Sequence, residues 1–153
     1  MWKRIARVWI LAGVCLASGF QPARALQVEA PRSLVSIDER LFVLCGNPPR
    51  LFEVASVGGE VIREIPIPGG FTSSASSGLA VGSGELFLVG GDGNVYVLDL
   101  EGGAALRSFA TPSGVVGTGL GFVEGEGLLF ADADNSTPLQ YLSPTDGAFI
   151  RNL

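Results

Sequence analysis

The stretch GLAVGSGELFLVGGDGNVYVLDLEGGAALRSFATP, residues 78–112, decides the fold. Its apolar residues fall into short runs, GLAVG, ELFLV, NVYVLDL and ALRSFA, separated by Ser83-Gly84, Asp92-Gly93 and Gly102-Gly103. Short apolar or alternating runs bounded by turn residues read as strands. Asp-Gly and Gly-Gly tolerate the positive φ of tight hairpins, so the strands are predicted to be antiparallel neighbours.

The same order recurs on both sides at a spacing of 44 residues, marked by Gly59, Gly103 and Gly147. Val54, Leu98 and Leu142 keep this register, as do Ile62, Leu106 and Ile150, and Arg63, Arg107 and Arg151. Upstream the match continues with small slips: LVSIDERLFVLCG, LAVGSGELFLVGG and LGFVEGEGLLFAD. Self-similarity at a fixed period marks a repeat architecture, with units over about 33–68, 77–112 and 118–153. After residue 25 no stretch has a capped helical period, and the 20 glycines there penalise one. The fold class is all-β.

Four-stranded meanders repeating every 40 to 45 residues or so are the signature of propeller blades. Pro/Gly/Ser-rich crossings, IPIPGGFTSSASSG and TPSGVVGTG, would carry the chain from one blade to the next. The repeated residues resemble blades of the extracytoplasmic propellers related to glutamine cyclotransferases and to the YVTN, NHL and lactonase-like groups. In these a GLA-type strand, an LYVxD-type strand, an IxVxDxxTG-type strand and a final V-x-x-I strand recur. The resemblance spans roughly residues 33–153 and lies in scaffold positions, not catalytic ones. After residue 25 the chain lacks the tryptophan of WD-type and quinone-cofactor repeats.

The sequence therefore predicts a β-propeller-like array of three four-stranded antiparallel blades over residues 26–153, an incomplete ring. A closed ring takes about four to eight blades. Truncation or a short reading frame is preferred to head-to-tail assembly, because no crossing follows the third unit. An open array leaves an apolar blade face at each end, which predicts self-association that strengthens with salt.

Ahead of the repeats, Lys3, Arg4 and Arg7 precede an uncharged run, VWILAGVCLASGF, and a polar segment ending in Ala23-Arg24-Ala25. Basic, apolar and small-x-small segments in that order make residues 1–25 a signal peptide, expected to be helical and to be cleaved after Ala25. The apolar run falls short of the roughly 20 residues a membrane span needs. The protein is thus expected to be secreted or periplasmic, with no stable membrane span after cleavage. Cleavage leaves six arginines against fifteen carboxylates, a formal charge of −9, which would repel nucleic acid and acidic membranes. Cys45 alone remains of the two cysteines, so no intramolecular disulfide forms. Within LFVLC it reads as a small hydrophobe.

The chain has no histidine, which removes histidine bases, histidine metal ligands and any Ser-His-Asp arrangement. GGDGN and EGEG look like phosphate loops, but neither opens a helix, and both read as hairpin turns. Asp132, Asp134 and Asn135 are the candidate metal ligands, since closely spaced carboxylate and amide oxygens suit calcium. An Asx turn explains the same residues, and no other cofactor is expected. Arg63, Arg107 and Arg151, beside Ile62, Leu106 and Ile150 read as inward-facing, could form a carboxylate-binding ring. The alternative is a charged guard on an outer edge strand. The function expected is an exported, non-catalytic binding or scaffold module with a protein or glycan partner. The second reading is a fragment of an extracytoplasmic propeller enzyme of the cyclotransferase or lactonase-like kind.

Overall fold

A computed structural model describes residues 30–74, 77–114, 116–132 and 138–153. The signal-peptide expectation for residues 1–25 lies outside them. Among the described residues twelve strands form three four-stranded antiparallel sheets, each a meander in chain order. The first holds β1 (Pro31–Ile37), β2 (Arg40–Cys45), β3 (Arg50–Ala55) and β4 (Val61–Ile65). The second holds β5 (Gly78–Gly82), β6 (Glu85–Val89), β7 (Asn94–Asp99) and β8 (Ala105–Ala110). The third holds β9 (Gly117–Val123), β10 (Gly127–Asp132), β11 (Gln140–Leu142) and β12 (Phe149–Asn152), after a short 3-10 turn at Pro112–Gly114. No helix among the described residues is long and apolar enough to cross a membrane.

The sheets stack face to face, and the run-on apolar character of the middle one follows from its having a neighbour on both sides. Leu86, Leu88, Tyr96 and Leu98 pack against Phe42, Leu44, Leu51 and Ile65 of the first sheet. Phe87, Val89, Val95 and Val97 pack against Leu128, Phe130 and Leu142 of the third. Alternate residues of β6 and β7 thus serve two cores, and neither strand has a polar face to show. Of the inner strands, β5 lies beside both β1 and β9, whereas the outer strands β4, β8 and β12 make at most slight contact with one another, so the sheets diverge outward.

That divergence corrects one expectation. Ile62, Leu106 and Ile150 were read as inward-facing, yet they are 55%, 49% and 49% exposed. They sit on the outermost strands, where neighbouring sheets no longer overlap. The outer face of the first sheet also differs from the expected open apolar surface. Val43, Cys45, Phe52 and Val54 on the outer side of the first sheet form a cluster of their own and are buried. Exposed large hydrophobics lie mainly on the rim: Val57, Val61, Ile62, Leu106, Phe149, Ile150 and Leu153.

Gly59, Gly103 and Gly147 occupy equivalent turns before the outer strands, with φ of +69°, +72° and +75°. Two of them also receive the preceding sheet. A side chain at Gly103 would meet Ile65 Cγ2 at 2.9 Å, and one at Gly147 would overlap the Phe109 ring. Nothing lies within 4 Å of the same point on Gly59. Replacing Gly59 by alanine is therefore expected to cost about 1 kcal/mol for the left-handed backbone alone. Gly147→Ala should cost a further 1–3 kcal/mol or so for overpacking against Phe109. Urea midpoints of the two variants check this, and equal losses would mean that the docking contact is absent.

Candidate functional site

One end of the stack carries the two crossings and the turns after β2, β6 and β10. GGDGN joins β6 to β7 there, and both crossings hold it. Gly91 N–H donates to Thr72 O at 2.8 Å, and Thr111 N–H donates to Gly93 O at 2.9 Å. A side chain at Gly93 would stand 2.6 Å from Gly114 O, so close backbone approach, and not a bound phosphate, accounts for the run of glycines.

The turn also orders its polar side chains. Tyr96 O–H donates to Asp92 Oδ2 at 2.5 Å, and Asn94 Nδ2 donates to the same oxygen at 3.0 Å. Phe71 from the first crossing meets the Tyr96 ring edge-on, with centroids 5.6 Å apart. Burial, and then the Asp92 carboxylate, push the Tyr96 phenol up to about 12. The other carboxylate oxygen, Asp92 Oδ1, is buried with no hydrogen-bond partner among the described residues. The hydroxyls of Thr72 and Ser74 border the adjacent Gly91. The reading of GGDGN as a turn missed this cluster. A phenol inside the otherwise aliphatic NVYVL strand was the available signal, because a buried tyrosine hydroxyl needs a partner.

The folded state holds the Tyr96 proton more tightly than the unfolded chain does. Stability is therefore expected to fall as pH rises from about 10 through 12. Phenolate absorbance in a Tyr141→Phe background should show ionisation near 12, and Asp92→Ala should lower it. An Asp92→Ala titration that leaves the midpoint in place would remove the carboxylate from the account.

The metal candidates divide at the end of β10. Asp132 is buried there, while Asp134 and Asn135 lie outside the described residues. Among the described residues no group of three His, Cys, Asp or Glu side chains could hold a metal ion. EGEG joins β9 to β10, and its Glu126 pairs with Arg151. Cys45 is a free, buried cysteine whose thiol is pushed up by burial.

The three repeated arginines do meet carboxylates, and all of these belong to the same chain. Arg63 Nε bonds Glu53 Oε2 at 2.7 Å, Arg107 makes two 2.6 Å bonds to Glu85, and Arg151 bonds Glu126 Oε2 at 2.6 Å. Two of them then reach the next sheet. Arg63 Nη2 donates to Leu100 O at 3.0 Å; Arg107 Nη2 donates to Pro144 O at 2.8 Å and its Nε to Thr145 O at 3.1 Å. They sit on the outer strands, as a guard would, but clamp neighbouring sheets together. No ligand-binding ring forms from them.

No family model matches the chain, and no curated protein matches it in sequence. Solved structures do match. Hydrazine synthase of Kuenenia stuttgartiensis is similar at 12% identity and a TM-score of 0.63, over 82% of this chain and 36% of that one. Glutaminyl cyclase of Myxococcus xanthus gives 18% and 0.61, over 78% of this chain and 50% of that one. The RRP9 WD40 repeats give 18% and 0.65, over 84% and 39%. The fold is that of β-propeller blades. At these identities the likeness is one of scaffold alone, and the chain spans about a third to a half of each of these propeller structures.

Proposed function

We propose that the protein is an exported β-propeller module that binds a protein or glycan partner through its loop end and meets further blade surfaces at its rim. The observation that carries the binding reading is the turn cluster: a buried, unpartnered Asp92 Oδ1, next in the chain to Gly91, which the Thr72 and Ser74 hydroxyls border, on the end where both crossings converge. A carboxylate acceptor on a turn that also carries hydroxyls suits a hydroxyl-rich ligand, which favours a glycan. Calcium at Asp132, with Asp134 and Asn135, stays a subsidiary proposal.

The test is a glycan array probed with the secreted protein. Binding is expected, and Asp92→Asn should weaken it about tenfold, the effect of one charge-assisted hydrogen bond. Binding unchanged in Asp92→Asn would move the site elsewhere, and no bound glycan would sink the glycan reading. Export is tested on the same material: its mass should begin at Leu26, and it should lack tryptophan fluorescence, since Trp2 and Trp9 lie in the leader.

The likeness to a glutaminyl cyclase, half of whose length is spanned, favours a second reading as part of a propeller enzyme. Ammonia release from an N-terminal glutaminyl peptide by the purified chain would support that reading over the first.

A further inference from the structure

Each contact between blades carries, at the rim of its apolar core, two elements that are both periodic. In the first, an arginine on the outer strand donates to a carbonyl in the last turn of the next blade: Arg63 to Leu100 O, and Arg107 to Pro144 O. Donors and acceptors are each 44 residues apart. In the second, the residue two positions after that arginine sits on the turn glycine of the next blade: Ile65 on Gly103, and Phe109 on Gly147. One further period leaves, among the described residues, one half without its counterpart in the first blade and one in the third. The third blade offers Arg151 and Leu153; the first blade offers the Ser56 carbonyl and Gly59.

The spare halves are accessible. Arg151 and Leu153 are 47% and 66% exposed. Ser56 is exposed, its neighbour Val57 is 85% exposed, and nothing lies within 4 Å of the Cβ position on Gly59. Arg151 is also held ready, since its guanidinium lies 4.1 Å over the Tyr141 ring and bonds Glu126, as Arg107 bonds Glu85. The middle of the first blade's outer face is already buried, so the open contact is one of rim to rim.

We propose that the third-blade rim docks the first-blade rim of a second copy of this chain, head to tail. Arg151 donates to the Ser56 carbonyl, and Leu153 seats on Gly59. The proposal rests on the blade-surface part of the function given above. Continuity with the two contacts inside the chain is what selects this partner, because the same chemistry at the same period already joins its blades. A contact between two third blades would bring two Arg151 guanidiniums together and leave both carbonyl acceptors unused.

Disulfide capture between full-length secreted chains tests this. Leu153→Cys and Val57→Cys place thiols at exposed rim positions, and buried Cys45 does not compete. A mixture of the two variants should form cross-linked dimers, and either variant alone should not. Adding Arg151→Ala to the Leu153→Cys chain should slow capture about tenfold, the effect of one charge-assisted hydrogen bond. No capture in the mixture, or equal capture by one variant alone, would overturn the head-to-tail contact. An unchanged rate with Arg151→Ala would overturn the role of the arginine. Glycan binding is read at the other end of the blades, so its failure and this one are distinguishable.

Discussion

Replacing Phe87 by alanine is expected to remove about 3–5 kcal/mol of stability, the usual loss for a large aromatic taken from a packed core. Phe87 is fully buried in the core between the second and third blades, with its ring stacked on Phe122 at a centroid distance of 5.9 Å. Collapse cannot fill the space left behind. The Phe122 ring already fills the place of a side chain at Gly82, so its own position is fixed by backbone. Domains are stable by only about 5–15 kcal/mol, and the variant should therefore lose a third or more of its margin. Urea unfolding followed by far-ultraviolet circular dichroism measures it. A midpoint shift equivalent to less than about 1 kcal/mol would mean that the two blades do not share a core at this point.

Glu53→Ala should have a comparable effect for an electrostatic reason. The carboxylate is buried on the face of β3 that meets the second blade, and it accepts from Arg40 Nε and Arg63 Nε, both at 2.7 Å. Both guanidiniums in turn donate to Leu100 O in the next blade, at 3.2 and 3.0 Å. Removing the carboxylate takes away the acceptor that the two cations share at a partly buried interface, leaving Arg40 only the exposed Glu101 and both of them the Leu100 carbonyl. Breaking a buried pair costs about 3–5 kcal/mol, and the partial exposure of both arginines puts this case near 3 kcal/mol. Burial pushes the Glu53 carboxyl up, but the hydrogen bonds and charges of Arg40 and Arg63 outweigh it and hold the group below its usual range. A depressed carboxylate contributes stability that is present above its unfolded value of about 4.3 and is lost as pH falls through the folded one. Wild-type protein should therefore lose stability below about pH 4, and Glu53→Gln should flatten that acid limb while being less stable at pH 7. An acid limb as steep in Glu53→Gln as in wild type would assign the pH dependence to other carboxylates.

The blade meander is legible in the sequence because its signals are local. Turn glycines at Gly59, Gly103 and Gly147, two-residue hairpin turns such as Ser83-Gly84, and apolar runs such as ELFLV each report on a few neighbouring residues. What the arginines do is not local. Arg63 and Glu53 are ten residues apart and face each other only through the β3–β4 register, while Leu100 arrives from another blade. Alternation alone placed Ile62, Leu106 and Ile150 inside; it carries no information about how far neighbouring sheets overlap at their outer strands. The loop-end cluster was half legible. Asp92 is a turn residue by type, and only the need of Tyr96 for a partner marks it as more. For Asp132 the sequence offered a carboxylate near a loop, and the structure places it at the buried end of β10.

One blade contact repeated every 44 residues is the central claim, and proton NMR of the purified chain tests it most directly. Cross-peaks are predicted between the Gly103 α-protons and the Ile65 methyl, and between the Gly147 α-protons and the Phe109 ring, the latter pair shifted upfield by the ring current. At low concentration Gly59 should show no such contact, and a cross-peak to Leu153 should appear as concentration rises. Gly103 and Gly147 in unlike surroundings, with neither cross-peak present, would contradict the repeat as the unit that builds this protein.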